Sequence, residues 1–429
     1  MCWDIVVNMK ILFIVPGSGD SFYCGNCFRD NLQANALRKA GHDVIVMPLY
    51  LPFKYPSFKA DTPLFFPATT FYAAEKFFKK GKVPRLISKI LETKAMLGVA
   101  SAFSGTTSAA GLEDITLSMI NGNDAVFTEQ VSHLLDWVEH HEKPDIIHLS
   151  SSLLIGLAKA LKQRLKIPMV CSLQDEEIWV DSLADNFVNQ AWQGIIDNTG
   201  YIDKFITTSH FYKRTISDRF PQITNIEVVY PGVDIGKYAC NSYPSDPVIG
   251  FFYRMNSENG LGILAEAFVI LKKRDTIKNL KLKVSGGYSG KDKQFLKDVK
   301  KILLPWKKDV DLNEEYNPER HSDFYSQITL ISVPLTFDES IGLYLCEAFA
   351  AGRPAIEPAT GSFSEIVGDA GIVYSPNDSE ALAAAIEKLL LDKQMYDQCS
   401  KKALELSRNR YNSSVMAENL FNIYKKNAL

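Results

Sequence analysis

Thr329-Leu-Ile-Ser-Val-Pro334, followed shortly by Phe337-Asp-Glu-Ser-Ile-Gly-Leu-Tyr-Leu-Cys-Glu-Ala-Phe-Ala-Ala-Gly-Arg-Pro-Ala355, reads as a buried strand, a loop and a helix in one run. Apolar Ile341, Leu345, Ala348 and Phe349 recur at i, i+4, i+7 and i+8, the spacing of one helix face. Glu339 therefore falls in the strand-to-helix loop and Glu347 about two turns into the helix. The neighbours of Glu347 one turn away are Leu343, Tyr344, Ala350 and Ala351, none of them charged. A carboxyl group on such a face is costly unless something hydrogen-bonds it. Eight residues of helix rise roughly 12 Å at most. The bland alternative is an amphipathic helix with one glutamate at its margin.

Outward from this run, strands and helices alternate through both halves of the chain. Lys10–Val15, Asp43–Pro48, Asp145–Leu149, Pro168–Leu173, Lys204–Thr208 and Glu227–Tyr230 read as short apolar strands. Helical stretches such as Cys27–Ala40, Thr128–His141 and Ser152–Leu165 separate most of them. A second series is Val248–Phe252, Leu280–Ser285, Thr329–Val333, Pro354–Glu357 and Gly371–Tyr374, with Asp234–Pro247 as a linker. Alternation of this kind marks parallel βαβ units. The expected fold class is α/β, with two Rossmann-like doubly wound domains facing each other across a cleft. The amino-terminal domain spans 1–235, with an atypical insertion at about 51–125, and the carboxy-terminal domain spans 236–410. A last helix within 411–429 is expected to pack back on the amino-terminal domain. Ligands of doubly wound sheets lie at the carboxyl ends of the strands. Two acceptors flanking a helix N-terminus, which attracts phosphate, could then grip both ends of a sugar nucleotide.

Composition bounds the alternatives. The 429 residues suggest two domains, and 46% hydrophobic with 23% charged residues is a soluble globular composition. A formal net charge of -3 argues against a nucleic-acid-binding protein. No apolar run approaches the roughly 18 residues needed to span a bilayer, and no secretory signal is expected at the amino terminus, where residues 1–8 read as an upstream extension. Seven cysteines, odd in number and mostly within apolar patterns, favour a reducing cytoplasm over a disulfide framework. Within Glu75–Lys94 seven basic residues interleave with apolar ones against two acidic ones. This element reads first as a solvated basic helix pair with a packed apolar side, and otherwise as an acidic-ligand element or a peripheral contact with the inner membrane surface.

Several loops carry candidate chemistry. Pro16-Gly-Ser-Gly-Asp-Ser-Phe-Tyr-Cys-Gly25 follows the first strand, and Gly17, Ser18 and Gly19 let backbone approach a ligand closely. It fails as a dinucleotide fingerprint, because Phe22 stands where a third glycine belongs. Cys24-Gly-Asn-Cys27 has the C-x-x-C spacing at a helix start, and thiols packed beside a ligand loop are the expectation, ahead of redox or metal work. Asp309-Val-Asp311 is a D-x-D at a short strand; solvated acids on an edge explain it, and no metal is assigned. Arg254 lies just past the strand Val248–Phe252, where a guanidinium suits a pyrophosphate.

Together these residues resemble a family 4 glycosyltransferase of the GT-B fold. The motifs are Gly250-Phe-Phe-Tyr-Arg254, Glu258-Asn259-Gly260, Glu339 with Glu347, Gly352-Arg-Pro-Ala-Ile356, Gly361-Ser-Phe-Ser-Glu-Ile-Val367 and Tyr230-Pro-Gly-Val-Asp234. The opening Tyr23-Cys-Gly-Asn-Cys-Phe-Arg29-Asp-Asn31 is similar to that of a bacterial subgroup. The resemblance implies a retaining, metal-independent transfer, without cofactor, from a nucleoside-diphosphate sugar to a glycan, lipid or other carbohydrate acceptor. It gives Glu347 the ribose hydroxyls, Glu339 a hydroxyl of the transferred sugar, and Ile341, Gly342 and Leu343 the pyrophosphate, with Arg254 neutralising the leaving group. On the acceptor side of the cleft it places Gly17, Ser18, Gly19, Tyr23, Arg29, Ser150, Gln174 and Asp175. Two departures stand out. Asn259 occupies the donor-site position of a lysine, and Ser150 that of a histidine, with Gln174-Asp175 positioned to fill the space. A sugar-nucleotide epimerase of related fold and a catalytically silent nucleotide-sugar-binding protein are the alternatives.

Overall fold

The computed structural model describes residues 8–17, 22–50, 53, 60–62, 64–65, 112–123, 125–141, 143–238 and 244–428. Ser18, Gly19 and the basic element at 75–94 lie outside the described residues, as does most of the 51–125 insertion.

Among the described residues, twelve strands form two wholly parallel sheets of six. The first contains β1 (Lys10–Val15), β2 (Asp43–Pro48), β3 (Ile146–Leu149), β4 (Met169–Leu173), β5 (Lys204–Thr207) and β6 (Ile226–Val228), in the order β2-β1-β3-β4-β5-β6. The second contains β7 (Val248–Phe252), β8 (Lys281–Ser285), β9 (Val310–Leu312), β10 (Leu330–Ile331), β11 (Ala355–Pro358) and β12 (Gly371–Tyr374), in the order β12-β11-β10-β7-β8-β9. The central strands are apolar on both faces, as parallel strands sandwiched by helices must be. In β1, Leu12 and Ile14 join the core with Ile147, Leu149 and Cys171. Ile11, Phe13 and Val15 point the other way, against Met416, Leu420 and Tyr424 of the final helix, Ser413–Ala428.

That final helix thus crosses from the second sheet to pack on the first. His148 of β3 anchors it: its Nδ1 lies 2.6 Å from the Tyr424 hydroxyl and its Nε2 2.8 Å from Ser172 Oγ. Burial, helped by the Arg29 charge, holds this imidazole down to about 3. Between that value and the ordinary histidine value near 6.5, the native protein binds fewer protons than the unfolded chain, so acid removes stability across this window. Urea unfolding from pH 7.5 to 4.5 should show a falling midpoint that is flatter in His148→Gln.

Part of the insertion region is helical. Glu113–Asn121 packs on the helix Asp185–Asn198, where Asn198 Nδ2 donates to the Ile120 carbonyl at 3.0 Å.

Candidate functional site

Strand order places the site. In the first sheet the chain runs one way from β1 to β2 and the other way to β3 and β4; in the second it diverges between β7 and β10. The loops leaving the carboxyl ends at these switch points enclose the crevice where doubly wound sheets take ligands. They are the segments after β1, β3 and β4 on one side and after β7 and β10 on the other.

The β10 loop carries Glu339 into the cleft, and two neighbouring segments fix it. Ser362 N donates to the Glu339 carbonyl at 2.9 Å, and Gly361 N to Asp338 Oδ1 at 2.9 Å. Gly361 has φ +53°, and a Cβ there would stand 2.6 Å from Glu339 N, so this clamp requires glycine. The Glu339 carboxyl receives the Tyr253 hydroxyl at 3.1 Å and the Gly342 amide at 3.3 Å. The helix behind it, Leu343–Ala350, begins at Gly342, whose φ of +63° ends the loop. Glu347 consequently sits one turn into the helix, where the sequence reading expects about two.

Across the cleft, Asp175 follows β4 in a left-handed conformation (φ 56°). It bonds the other domain: Ser340 N donates to its Oδ1 at 3.1 Å and Ser340 Oγ to its Oδ2 at 2.8 Å. Two buried carboxyl groups, Asp175 and Glu339, thus flank one residue. Burial pushes both upward, and the Glu339 charge raises Asp175 further, while the Gly342 amide and Tyr253 hydroxyl draw Glu339 back. Such a pair holds a proton more readily than either acid would in water. Glu365, from the motif after β11, ties the same domains together by accepting His210 N and Phe211 N at 2.9 Å each and the Tyr230 hydroxyl at 2.5 Å.

Glu347 has partners that no local spacing announces. Its Oε1 accepts from Tyr238 at 2.6 Å and pairs with His321 Nδ1 at 2.8 Å; its Oε2 accepts from Tyr325 at 2.8 Å. It is wholly buried. Arg254 points its Nε and Nη2 at Asp292 Oδ2, 3.0 and 2.9 Å, and Nη2 also meets Ser289 Oγ at 2.8 Å. Asn259 turns inward: its Nδ2 donates to the Arg254 carbonyl at 2.8 Å and its N to Asn256 Oδ1 at 2.8 Å. Its amide therefore holds the β7 loop in shape.

On the first domain, Ser150 ends β3 and Gln174 ends β4, as the sequence places them. Gln174 Nε2 donates to the Ser150 carbonyl at 2.6 Å, and Arg29 Nη2 reaches the same oxygen at 3.3 Å and Asp30 Oδ1 at 2.9 Å. Gln174 Oε1 and Arg29 Nε are buried without a partner among the described residues, so this end of the cleft keeps polar capacity. Gly17, in the β1 loop, takes a positive φ of 96°.

Tyr23 is buried in the core of the second domain. Its N donates to the Gly286 carbonyl at 2.7 Å, and its ring packs 5.3 Å from both Phe252 and Tyr253 and 5.7 Å from His321. The cysteine expectation needs correcting here. Cys24 and Cys27 are not a pair of thiols but a disulfide across the first turn of the helix Gly25–Lys39; Cys171, Cys346 and Cys399 are buried free thiols. The odd total misled because pairing at a spacing of three is local and independent of parity. Asp309 and Asp311 at β9 pair with Lys272 and Lys283, as acids on an edge strand do.

A family model described as Glycosyl transferases group 1 matches residues 239–406, and one described as Glycosyltransferase Family 4 matches residues 120–237. Between them they take in most of both sheets. The chain belongs to these glycosyltransferases. D-inositol 3-phosphate glycosyltransferase of Nocardia farcinica is 27% identical over 186 residues, 39% of this chain and 40% of that protein. The same-named protein of Corynebacterium efficiens is 26% identical over 218 residues, 47% and 51% of the two chains. The chain thus spans about half the length of these relatives, or less. Among solved structures, sucrose-phosphate synthase of Thermosynechococcus elongatus superposes with a TM-score of 0.69 at 16% identity, covering 98% and 99% of the two chains. Anabaena HepE in complex with UDP and glucose gives 0.67 at 15% identity, covering 98% and 100%. The expected GT-B fold is the one this glycosyltransferase-family chain adopts. Among the described residues no helix is long and apolar enough to cross a membrane.

Proposed function

We propose that this chain transfers a sugar from a nucleoside-diphosphate sugar to a glycan, lipid or other carbohydrate acceptor, with retention and without a metal ion. The observation that carries the reading is the bonding of Asp175 to Ser340, next to Glu339 in the β10 loop, which sets the two carboxyl groups within electrostatic reach of each other at the switch points of the two sheets. A donor there has its transferred sugar against the Glu339 carboxyl and its diphosphate at the amides opening the helix Leu343–Ala350, whose partial positive charge favours it. Arg254, oriented by Asp292 and Ser289, offers Nη1 to the departing phosphate. Stabilising that developing charge lowers the barrier more than any single contact with the ground state does. Asp175, Ser150 and the Gln174 Oε1, which has no partner among the described residues, supply the acceptor side. HepE, solved with UDP and glucose, makes UDP-sugars the first donors to try. A cytoplasmic location is part of the proposal.

Because amides and a guanidinium meet the diphosphate in this reading, turnover should survive excess EDTA. Loss of activity on chelation, restored by manganese, would overturn that part. The inward turn of Asn259 favours one competing reading, a silent nucleotide-sugar-binding protein. Release of nucleoside diphosphate from a donor in the presence of carbohydrate acceptors separates the two: turnover supports transfer, and tight donor binding with none supports the silent protein. Interconversion of the donor into its epimer would support an epimerase instead.

A further inference from the structure

One segment covers both groups assigned to the donor. Phe22 bridges antiparallel to Gly287, and its ring carries the Arg254 guanidinium at 4.3 Å. Tyr23 and Phe28 cover the Glu347 end, their rings 5.7 and 4.7 Å from His321, with Tyr316 6.3 Å from Tyr23. The approach depends on Gly286 (φ +124°), where a Cβ would fall 2.2 Å from the Tyr253 carbonyl oxygen. Seating is imperfect: the Tyr23 hydroxyl is buried without a hydrogen-bond partner among the described residues, a state that disfavours the seated form. A cavity of about 310 Å³ adjoins Phe28, Tyr238 and His321, leaving room beside the segment.

The Cys24–Cys27 disulfide lies between Tyr23 and Phe28. Cys24 is the N-cap residue of the helix Gly25–Lys39; its Sγ accepts from Cys27 N at 3.4 Å and its carbonyl from Phe28 N at 3.0 Å. A sulfur is a poor cap, so without the covalent ring the first turn frays easily. We propose that Phe22–Phe28 is a built-in occluder of the nucleotide site, held in place by the Cys24–Cys27 disulfide and released when a dithiol reduces it. The inference rests on the donor reading above and adds its regulation. In the reduction, one thiolate of the dithiol attacks a cysteine sulfur and the Sγ–Sγ bond breaks. The second thiol then displaces the mixed disulfide, leaving two cysteine thiols and an oxidised, cyclic reductant.

The test uses the full chain, oxidised and after treatment with dithiothreitol, with two readouts. Amide exchange across 22–28 reports seating without any nucleotide, and titration with UDP, GDP and ADP reports access. On reduction, exchange should accelerate about tenfold or more and the dissociation constant of the preferred nucleotide should fall by about the same factor, because affinity scales with the open fraction. Cys24→Ser/Cys27→Ser should behave as the reduced protein in either condition. Tyr23→Ala should bind tightly whatever the redox state, and the double serine variant carries the test if Tyr23→Ala does not fold. Exchange and affinity unchanged by reduction, with nucleotide still bound, would overturn the occluder and leave the donor reading standing. Faster exchange with no nucleotide bound by any form would overturn the donor reading and the occluder with it.

Discussion

Glu347→Ala should lower the unfolding free energy by about 3–5 kcal/mol, read from urea titration. The carboxyl group is wholly buried and receives Tyr238, His321 and Tyr325. Truncation to a methyl takes their shared acceptor from two phenol hydroxyls and an imidazole nitrogen at a buried position. A buried hydrogen bond lost without replacement costs about 1–3 kcal/mol, and the void adds to it. Glu347→Gln keeps one oxygen acceptor and should cost less. A Glu347→Ala protein as stable as the wild type would mean that these three bonds contribute nothing net. Nucleotide affinity should fall in the same variant, since the ribose hydroxyls assigned to Glu347 lose their acceptor.

Glu339→Gln should reduce turnover by about 100-fold while leaving affinity for the free nucleoside diphosphate within about threefold. The substitution keeps size: the new amide oxygen can accept the Gly342 N–H, the new NH2 can donate to the Tyr253 hydroxyl oxygen, and the β10 loop keeps its clamp from Gly361 and Ser362. What it removes is the negative charge beside Asp175. The sugar builds up positive charge as its bond to the diphosphate breaks, so losing that carboxylate is felt in the transition state rather than in product binding. Equal losses in turnover and in diphosphate affinity would place Glu339 on the nucleotide instead.

The architecture is legible because parallel strands buried on both faces leave continuous apolar runs; Lys10–Val15 and Val248–Phe252 are read to the residue. Ends blur where pairing stops before the apolar pattern does. Thr329–Val333 pairs only at Leu330–Ile331. The helix after it starts later than the Ile341 pattern suggests, because Gly342 takes a positive φ. At the site, Glu339, Glu347 and Arg254 are visible in the sequence as loop and helix positions after strands. The groups that set their chemistry are not. His321 and Tyr325 reach Glu347 from 26 and 22 residues away and Tyr238 from 109, while Asp175 reaches Ser340 from 165. No periodicity encodes such contacts; they exist only once two sheets are folded and docked. The same holds for Tyr23, whose aromatic surroundings belong to the other domain.

The central claim is that the cleft between the two sheets takes a nucleotide sugar and breaks its bond to the diphosphate beside Glu339. The most direct measurement is release of nucleoside diphosphate from a panel of UDP-, GDP- and ADP-sugars, with carbohydrate acceptors and excess dithiothreitol, by wild type and Glu339→Gln side by side. The account predicts turnover of at least one donor by the wild type and about 100-fold less by the variant. Turnover of equal rate in both proteins, or no release from any donor by the reduced wild type, would contradict it.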